Sequence, residues 1–323
     1  VGAEDRATLA GAGSTFAATM VNEWTRLYRR SAPGVDIRYE AVGSGMGIRR
    51  LTSGGADFAV TEVPMTPGEQ QAAGWQAVQL PLVGGAVGLA YNLPGIEGLR
   101  LSEETLARIY SGGVSRWDHP AVKRDNPDMN LPATAVTPVH RAEVSGTTLA
   151  FTRYLSTAGP EVWAPGEGAS VDWPTGTEAE GSSGVVAAVT STVGAIGYVV
   201  AGPARDARLQ LAHVRNAAGA FPAPTSTALD AALLGATGFK ENLTLTVPVR
   251  QQSSTAYPIT AISHLVFPVG LPPDKDTAAR HFASWVLSEG QRVTTRLGFV
   301  PLPLPLLVRT LEGLQNGGIQ PRR

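Results

Sequence analysis

Strand-length apolar runs alternate with amphipathic helical segments along nearly all of this 323-residue chain, and that alternation restricts the fold more than any other feature. Strand-like runs are read at 8–13, 35–39, 57–60, 80–92, 137–140, 195–200 and 256–267. Between them Phe16, Met20, Trp24, Leu27 and Tyr28 recur at helical spacing. Further helices are expected from Ile48, over 101–110 with Ser102 as N-cap, and over 147–155, 185–190, 277–287 and 306–314. Strands that alternate with helices predict an α/β protein with mainly parallel sheets flanked by helices. The two long apolar runs, 80–92 and 256–267, predict strands that cross between two lobes as a hinge. Lobe I is then discontinuous, 1–83 plus 258–323, and lobe II is 84–257, with a ligand cleft expected between them.

Composition narrows the function classes. Apolar residues make up 43% of the chain and charged residues 16%, which suits a sizeable buried core. With 26 basic and 27 acidic residues the net charge is -1. No broad positive field exists to attract nucleic acid or an anionic membrane, so any anion site is local. The absence of cysteine suits an exported protein that folds without disulfides. No apolar run reaches the length of a membrane-spanning helix. The opening VGAEDRATLAGAGSTF has neither a basic nor an apolar signal region. Any signal peptide is therefore expected to have been removed, and a preceding lipid anchor would need a cysteine absent here. The closing NGGIQPRR reads as a polar, frayed end.

Three segments share one design, in which a Gly/Ser/Thr cluster ends a strand or turn and a helix follows. They are GAGSTF (11–16), GSGMG (43–47) and SGTT (145–148). A helix N-terminus presents unpaired backbone N–H groups and a partial positive charge, and small residues let an anion approach them. Any one cluster also reads as an ordinary helix cap; three in one α/β chain point to a site for an oxyanion. Arg141 lies four residues before Ser145, where a guanidinium could grip such an ion with two donors. Glu143 could hold that fork in place, or form a surface ion pair of little energetic weight. Glu62 follows the strand-like run 57–60, at a strand end where α/β folds place ligands. It reads either as a solvated loop acid or as an acceptor for the proton of HPO4(2-) or H2PO4(-). Sulfate has no proton at neutral pH, and its lone pairs would face the carboxylate.

With these residues in view, AGAGSTFAATMVNEW, YEAVGSGMGIRRL, GGADFAVTEVPMT, VHRAEVSGTTLAFTRYLS, VDWPTG and VGAIGYVV closely resemble, in the same order over roughly residues 8 to 305, the phosphate-binding proteins of the PstS type. The resemblance implies a two-lobed, hinge-closing binder of the periplasmic-binding-protein superfamily, type II. It implies capture of inorganic phosphate for an ABC permease, outside the cytoplasm, by a monomer with no cofactor, no metal and no catalytic step. It implies ligand roles for Thr15, Phe16, Ser44, Glu62, Arg141, Ser145, Gly146 and Thr147, with Glu143 in support. Glu62 and Glu143 stand where the family usually has aspartates, and Val144 where it usually has glycine. The extra methylene would push Glu62 deeper into an enclosed site or force the backbone back. A related oxyanion (arsenate, phosphite or a phosphate ester), or a sensor of phosphate, is the alternative that these departures raise.

Other chemistries have weaker support. No P-loop is present, and His119, His140, His213, His264 and His281 lack metal-ligand spacing. Ser145, His140 and Glu143 could be cast as a triad of a phosphoester hydrolase, but they crowd one strand-turn and lack the nucleophile-elbow glycines. Trp24, Trp117 and Trp173 read as packing residues.

Overall fold

The computed structural model describes residues 7–236 and 243–316. In chain order its strands are β1 (Ala7–Gly13), β2 (Val35–Ala41), β3 (Phe58–Thr61), β4 (Ala77–Tyr91), β5 (Arg100–Leu101), β6 (Thr137–Arg141), β7 (Thr177–Ala179), β8 (Ala195–Val200), β9 (Gln210–Leu211), β10 (His213–Val214), β11 (Thr260–Pro268) and β12 (Phe299–Pro301). Its α-helices are α1 (Ala18–Ser31), α2 (Ser44–Thr52), α3 (Pro67–Ala73), α4 (Glu103–Tyr110), α5 (Pro120–Asp125), α6 (Gly146–Leu155), α7 (Gly181–Ser191), α8 (Ala201–Asp206), α9 (Ser226–Leu234), α10 (Pro273–Leu287) and α11 (Leu304–Gln315). The frayed end expected at the C-terminus falls, from residue 317 on, outside the described residues.

The chain divides into two compact units. Of the described residues, the first holds 7–84, 243–246 and 262–316, and the second holds 85–236 and 247–261. The stretch 243–246 thus packs with the first unit, although the sequence reading put 84–257 together. One reason is visible: the Leu245 N–H donates to His264 Nε2, 3.2 Å away on β11.

In the first unit β1 lies between β2 and β3, parallel to both, and β11 joins β3 antiparallel. In the second, β6 lies between β7 and β8, parallel to both, and β4 joins β8 antiparallel. The sheets are therefore mixed where the long strands enter them. β4 is buried along almost all of its length, which is why its sequence is apolar without alternation.

Several helices start away from their expected positions. α1 begins at Ala18, after bends at Thr15, Phe16 and Ala17, and not directly on the glycine cluster. α2 begins at Ser44, ahead of the expected Ile48, and α7 at Gly181, ahead of Val185. Leu101 belongs to β5, so α4 starts behind its Ser102 cap. β11 starts at Thr260, since Pro258 has no N–H to give to a sheet.

Each unit has an aromatic core. In the first, Phe16 meets Phe299 edge-on at 5.5 Å, and Tyr28 packs on Phe282 and Trp285. In the second, Tyr110, Phe151, Trp163, Trp173 and Tyr198 form one cluster, with Phe151 and Tyr198 stacked at 4.6 Å. Trp24 and Trp117 are buried, and Trp173 is half-buried.

Candidate functional site

In the first unit the glycines of the opening cluster bring α2 against the end of β1. Gly13 has φ +140°, and a Cβ there would lie 2.1 Å from the Val60 carbonyl oxygen. A Cβ on Gly47 would lie 2.4 Å from Gly13 Cα. Only glycine permits this approach. It is locked by the Val42 and Gly43 N–H groups, both of which donate to the Gly13 carbonyl. The first turn of α2, with Ser44, and the turn Ser14–Thr15–Phe16 are thereby brought beside the end of β3.

Glu62 stands at that strand end. The Thr61 hydroxyl accepts from the Val63 N–H at 2.9 Å, which turns the chain immediately after the strand. The Glu62 side chain is almost wholly buried, and three hydroxyls meet it. Ser14 Oγ lies 2.7 Å from Oε1 and 2.8 Å from Oε2. Ser263 Oγ donates to Oε1 at 2.7 Å, and Ser44 Oγ to Oε2 at 3.2 Å. The additional methylene of the glutamate is thus taken up by hydroxyl partners from β11, α2 and the turn after β1. Burial pushes the Glu62 carboxyl up from its ordinary range, and the hydroxyls of Ser14, Ser263 and Ser44 pull it back. Tyr39, on β2, donates to the Ser14 carbonyl at 2.9 Å, and burial together with the Glu62 charge pushes its own pKa well up.

Thr15 and Phe16 lie in the bends that precede α1. The Phe16 ring is core, so only its backbone is available to a ligand. Ser14, which sequence reasoning passed over, fixes the turn: its Oγ also accepts from the Ala17 N–H at 3.1 Å.

The second unit builds a cradle around Arg141 at the end of β6. The Arg141 side chain is 2% exposed. Its Nε donates to Glu143 Oε1 at 3.0 Å, its Nη2 donates to the same oxygen, and its Nη1 donates to Thr147 Oγ1 at 3.1 Å. Glu143 also accepts from the Gly181 N–H at the start of α7, at 3.2 and 3.4 Å. Burial works against the Glu143 charge, but Arg141 and that N–H outweigh it and hold the carboxyl below its ordinary range. The pair is therefore a buried guanidinium aimed by its neighbour, and not a surface ion pair.

Ser145 caps α6, its Oγ accepting from the Thr147 and Thr148 N–H groups at 3.2 and 3.4 Å. It also donates to Thr147 Oγ1 at 3.1 Å. Thr147 Oγ1 thus accepts twice, from Ser145 and from Arg141, and its own proton is left to donate. Gly146 is the first residue of α6 and is buried. Tyr198, also missed from sequence, accepts the Arg141 N–H at 2.9 Å and pairs with Thr148 Oγ1 at 2.8 Å.

The hydrolytic triad is not assembled. The Ser145 hydroxyl is taken up by Thr147, and the His140 ring stacks on Trp173 at 4.9 Å with Nδ1 toward the Arg141 carbonyl. Among the described residues no group of three acidic or histidine side chains is placed to hold a metal ion.

Two half-cradles of hydroxyls, helix starts and one arginine suit a tetrahedral oxyanion, and comparison with known proteins agrees. Residues 2–290 match the model of the PBP superfamily domain. A phosphate-binding protein PstS of Pasteurella multocida is 33% identical over 301 residues, 92% of this chain and 86% of that protein. The chain belongs to the PstS family of phosphate-binding proteins. A PstS of Methanocaldococcus jannaschii is 34% identical over 90% of this chain and 81% of its own length. The solved structure of a high-affinity periplasmic phosphate-binding protein, PfluDING, bound with phosphate, superposes with a TM-score of 0.76 at 22% identity. That match covers 98% of this chain and all of PfluDING. At that identity it speaks for the fold alone, a mixed α/β fold of the periplasmic-binding-protein kind.

Proposed function

We propose that the protein captures inorganic phosphate outside the cytoplasm and delivers it to an ABC permease, as a monomer and without a chemical step. Two observations carry this reading: the second unit buries a cation, Arg141, and the first buries an acceptor, Glu62, in a chain a third identical to PstS proteins. Arg141, Thr147 and the start of α6 supply donors to the fully ionised oxygens. Thr15, the Phe16 N–H and Ser44 add donors from the first unit. Glu62 takes the proton that phosphate retains. Exclusion of water strengthens each bond to the ion. Among the described residues no helix is long and apolar enough to cross a membrane, which suits a binder that works on a separate permease.

Calorimetry with phosphate, arsenate, sulfate and phosphite tests the reading. One phosphate per chain at micromolar or tighter affinity is expected, with sulfate excluded and no release of phosphate from a generic phosphoester. Substituting either Arg141 or Glu62 alone is expected to impair binding. Absence of phosphate binding at millimolar concentration overturns the function; preference for phosphite or an ester replaces the ligand but keeps the class.

A further inference from the structure

We propose that Ser263 is a specificity-determining residue, whose hydroxyl, given to Glu62, keeps that buried carboxyl an acceptor and so closes the first-unit cradle to oxyanions that carry no proton. This rests on the reading of the protein as an oxyanion binder. Ser263 is fully buried on β11, one residue from His264, which pairs with Thr61 across the antiparallel register. The register therefore brings residue 263 beside Glu62 from a strand distant in sequence.

The three hydroxyls on Glu62 are not equivalent. The single Ser14 proton is divided between Oε1 and Oε2, and its oxygen also serves the Ala17 N–H. Ser44 is the longest contact, at 3.2 Å, and sits in the first turn of α2 where an arriving anion would claim its proton. Ser263 makes a short, undivided bond of 2.7 Å to Oε1. When Ser44 turns to an ion, Ser263 remains to hold the charge on Glu62. A carboxylate accepts only; a protonated carboxyl is also a donor. Were Glu62 to take up a proton, it would offer that donor to sulfate, and the discrimination would vanish. Among the described residues, Tyr39 on β2 feels the Glu62 charge, while His264, next to Ser263 on β11, turns to the other face of the strand, toward Leu245. His264 is held neutral by burial, its pKa pushed down to about 4, so across neutral pH neither neighbour changes charge.

The test is titration of phosphate and sulfate into the wild-type protein and Ser263→Ala from about pH 5 to about pH 8, on the side toward which burial raises the Glu62 carboxyl. In Ser263→Ala the phosphate-over-sulfate preference is expected to fall about ten- to a hundredfold, the worth of one hydrogen bond to a charged group. Sulfate binding is expected to grow as pH falls, beginning at a higher pH than in the wild type. Ser263→Cys keeps the size with a weaker donor and is expected to shift in the same direction by less; it carries the test if the alanine variant does not fold. Continued exclusion of sulfate across the range, or equal pH-independent weakening of both anions, overturns the proposal. Failure of the wild-type protein to bind phosphate overturns the functional reading instead.

Discussion

Replacing Glu143 by glutamine removes one charge and leaves the shape of the second-unit cradle nearly unchanged. In the ligand-free protein Arg141, with its side chain 2% exposed, then faces a neutral acceptor in place of the Glu143 carboxylate. Removing one partner of a buried pair typically costs about 3–5 kcal/mol. Two features reduce that here: Glu143 is 24% exposed, and the glutamine oxygen can still accept from Nε. About 1–2 kcal/mol remains, including part of the interaction with the Gly181 N–H. Urea unfolding of the ligand-free proteins at neutral pH reads this difference directly. Its pH dependence has a definite sign. The folded-state pKa of Glu143 lies below its ordinary value, so its contribution is present above the ordinary glutamate pKa of about 4.3 and is lost as pH falls through the folded value. The gap between wild type and Glu143→Gln is therefore expected to close below about pH 4. Saturating phosphate is expected to narrow it at neutral pH, because the ion brings its own negative charge to Arg141. A gap that is absent at neutral pH, or that widens in acid, refutes the account of Glu143 as the partner that balances and aims Arg141.

Two further substitutions separate packing from recognition. Gly47→Ala forces a Cβ to 2.4 Å from Gly13 Cα, backbone that cannot rotate away, and a loss of about 2–3 kcal/mol is expected by thermal or urea unfolding. An alanine variant as stable as wild type would mean that α2 does not need its close approach to β1. Glu62→Gln places an amide donor in the clasp of Ser14, Ser44 and Ser263, and sulfate binding is expected to appear by calorimetry at neutral pH. Sulfate still excluded by that variant would remove Glu62 from the discrimination.

The sequence carried the second-unit cradle more completely than the first, for a physical reason. Arg141, Glu143, Ser145 and Thr147 lie within seven consecutive residues, so one strand-turn-helix brings them together. Local spacing was enough to place Arg141 on Glu143, although not to show that the pair is buried. The Glu62 site is assembled from residues 14, 44, 62 and 263, and no local pattern brings Ser263 to a residue about two hundred positions away. A signal was present: Ser263 and His264 are polar residues inside an apolar strand that is buried throughout, and buried polar groups need partners. α2 and α7 start earlier than periodicity suggests because serine and glycine, poor helix formers, occupy their first turns, whereas α1 starts later because bends at residues 15–17 separate it from the glycine cluster. The antiparallel joins that β4 and β11 make to the parallel strands were not legible, because their uniformly apolar sequences do not record strand direction.

The two glutamates that stand in place of aspartates are driven in opposite directions. Glu143 is lowered by a cation and a helix start; Glu62 is raised by burial against three hydroxyls that cannot fully offset it. An acid raised on folding contributes its stability below its ordinary pKa and loses it as pH rises through the folded value. At neutral pH Glu62 therefore weakens the ligand-free fold, while Glu143 supports it. That opposition follows the chemistry each must perform. The residue that aims Arg141 must be charged before the ion arrives, so its charge is stabilised by partners already in the protein. On the function proposed above, the residue that reads the ligand's proton must leave one lone pair incompletely served, and on Oε2 the weakest contact is that from Ser44, at 3.2 Å. On that proposal a fourth strong donor there would stabilise the empty protein and cost it the acceptor that tells a protonated oxyanion from a bare one.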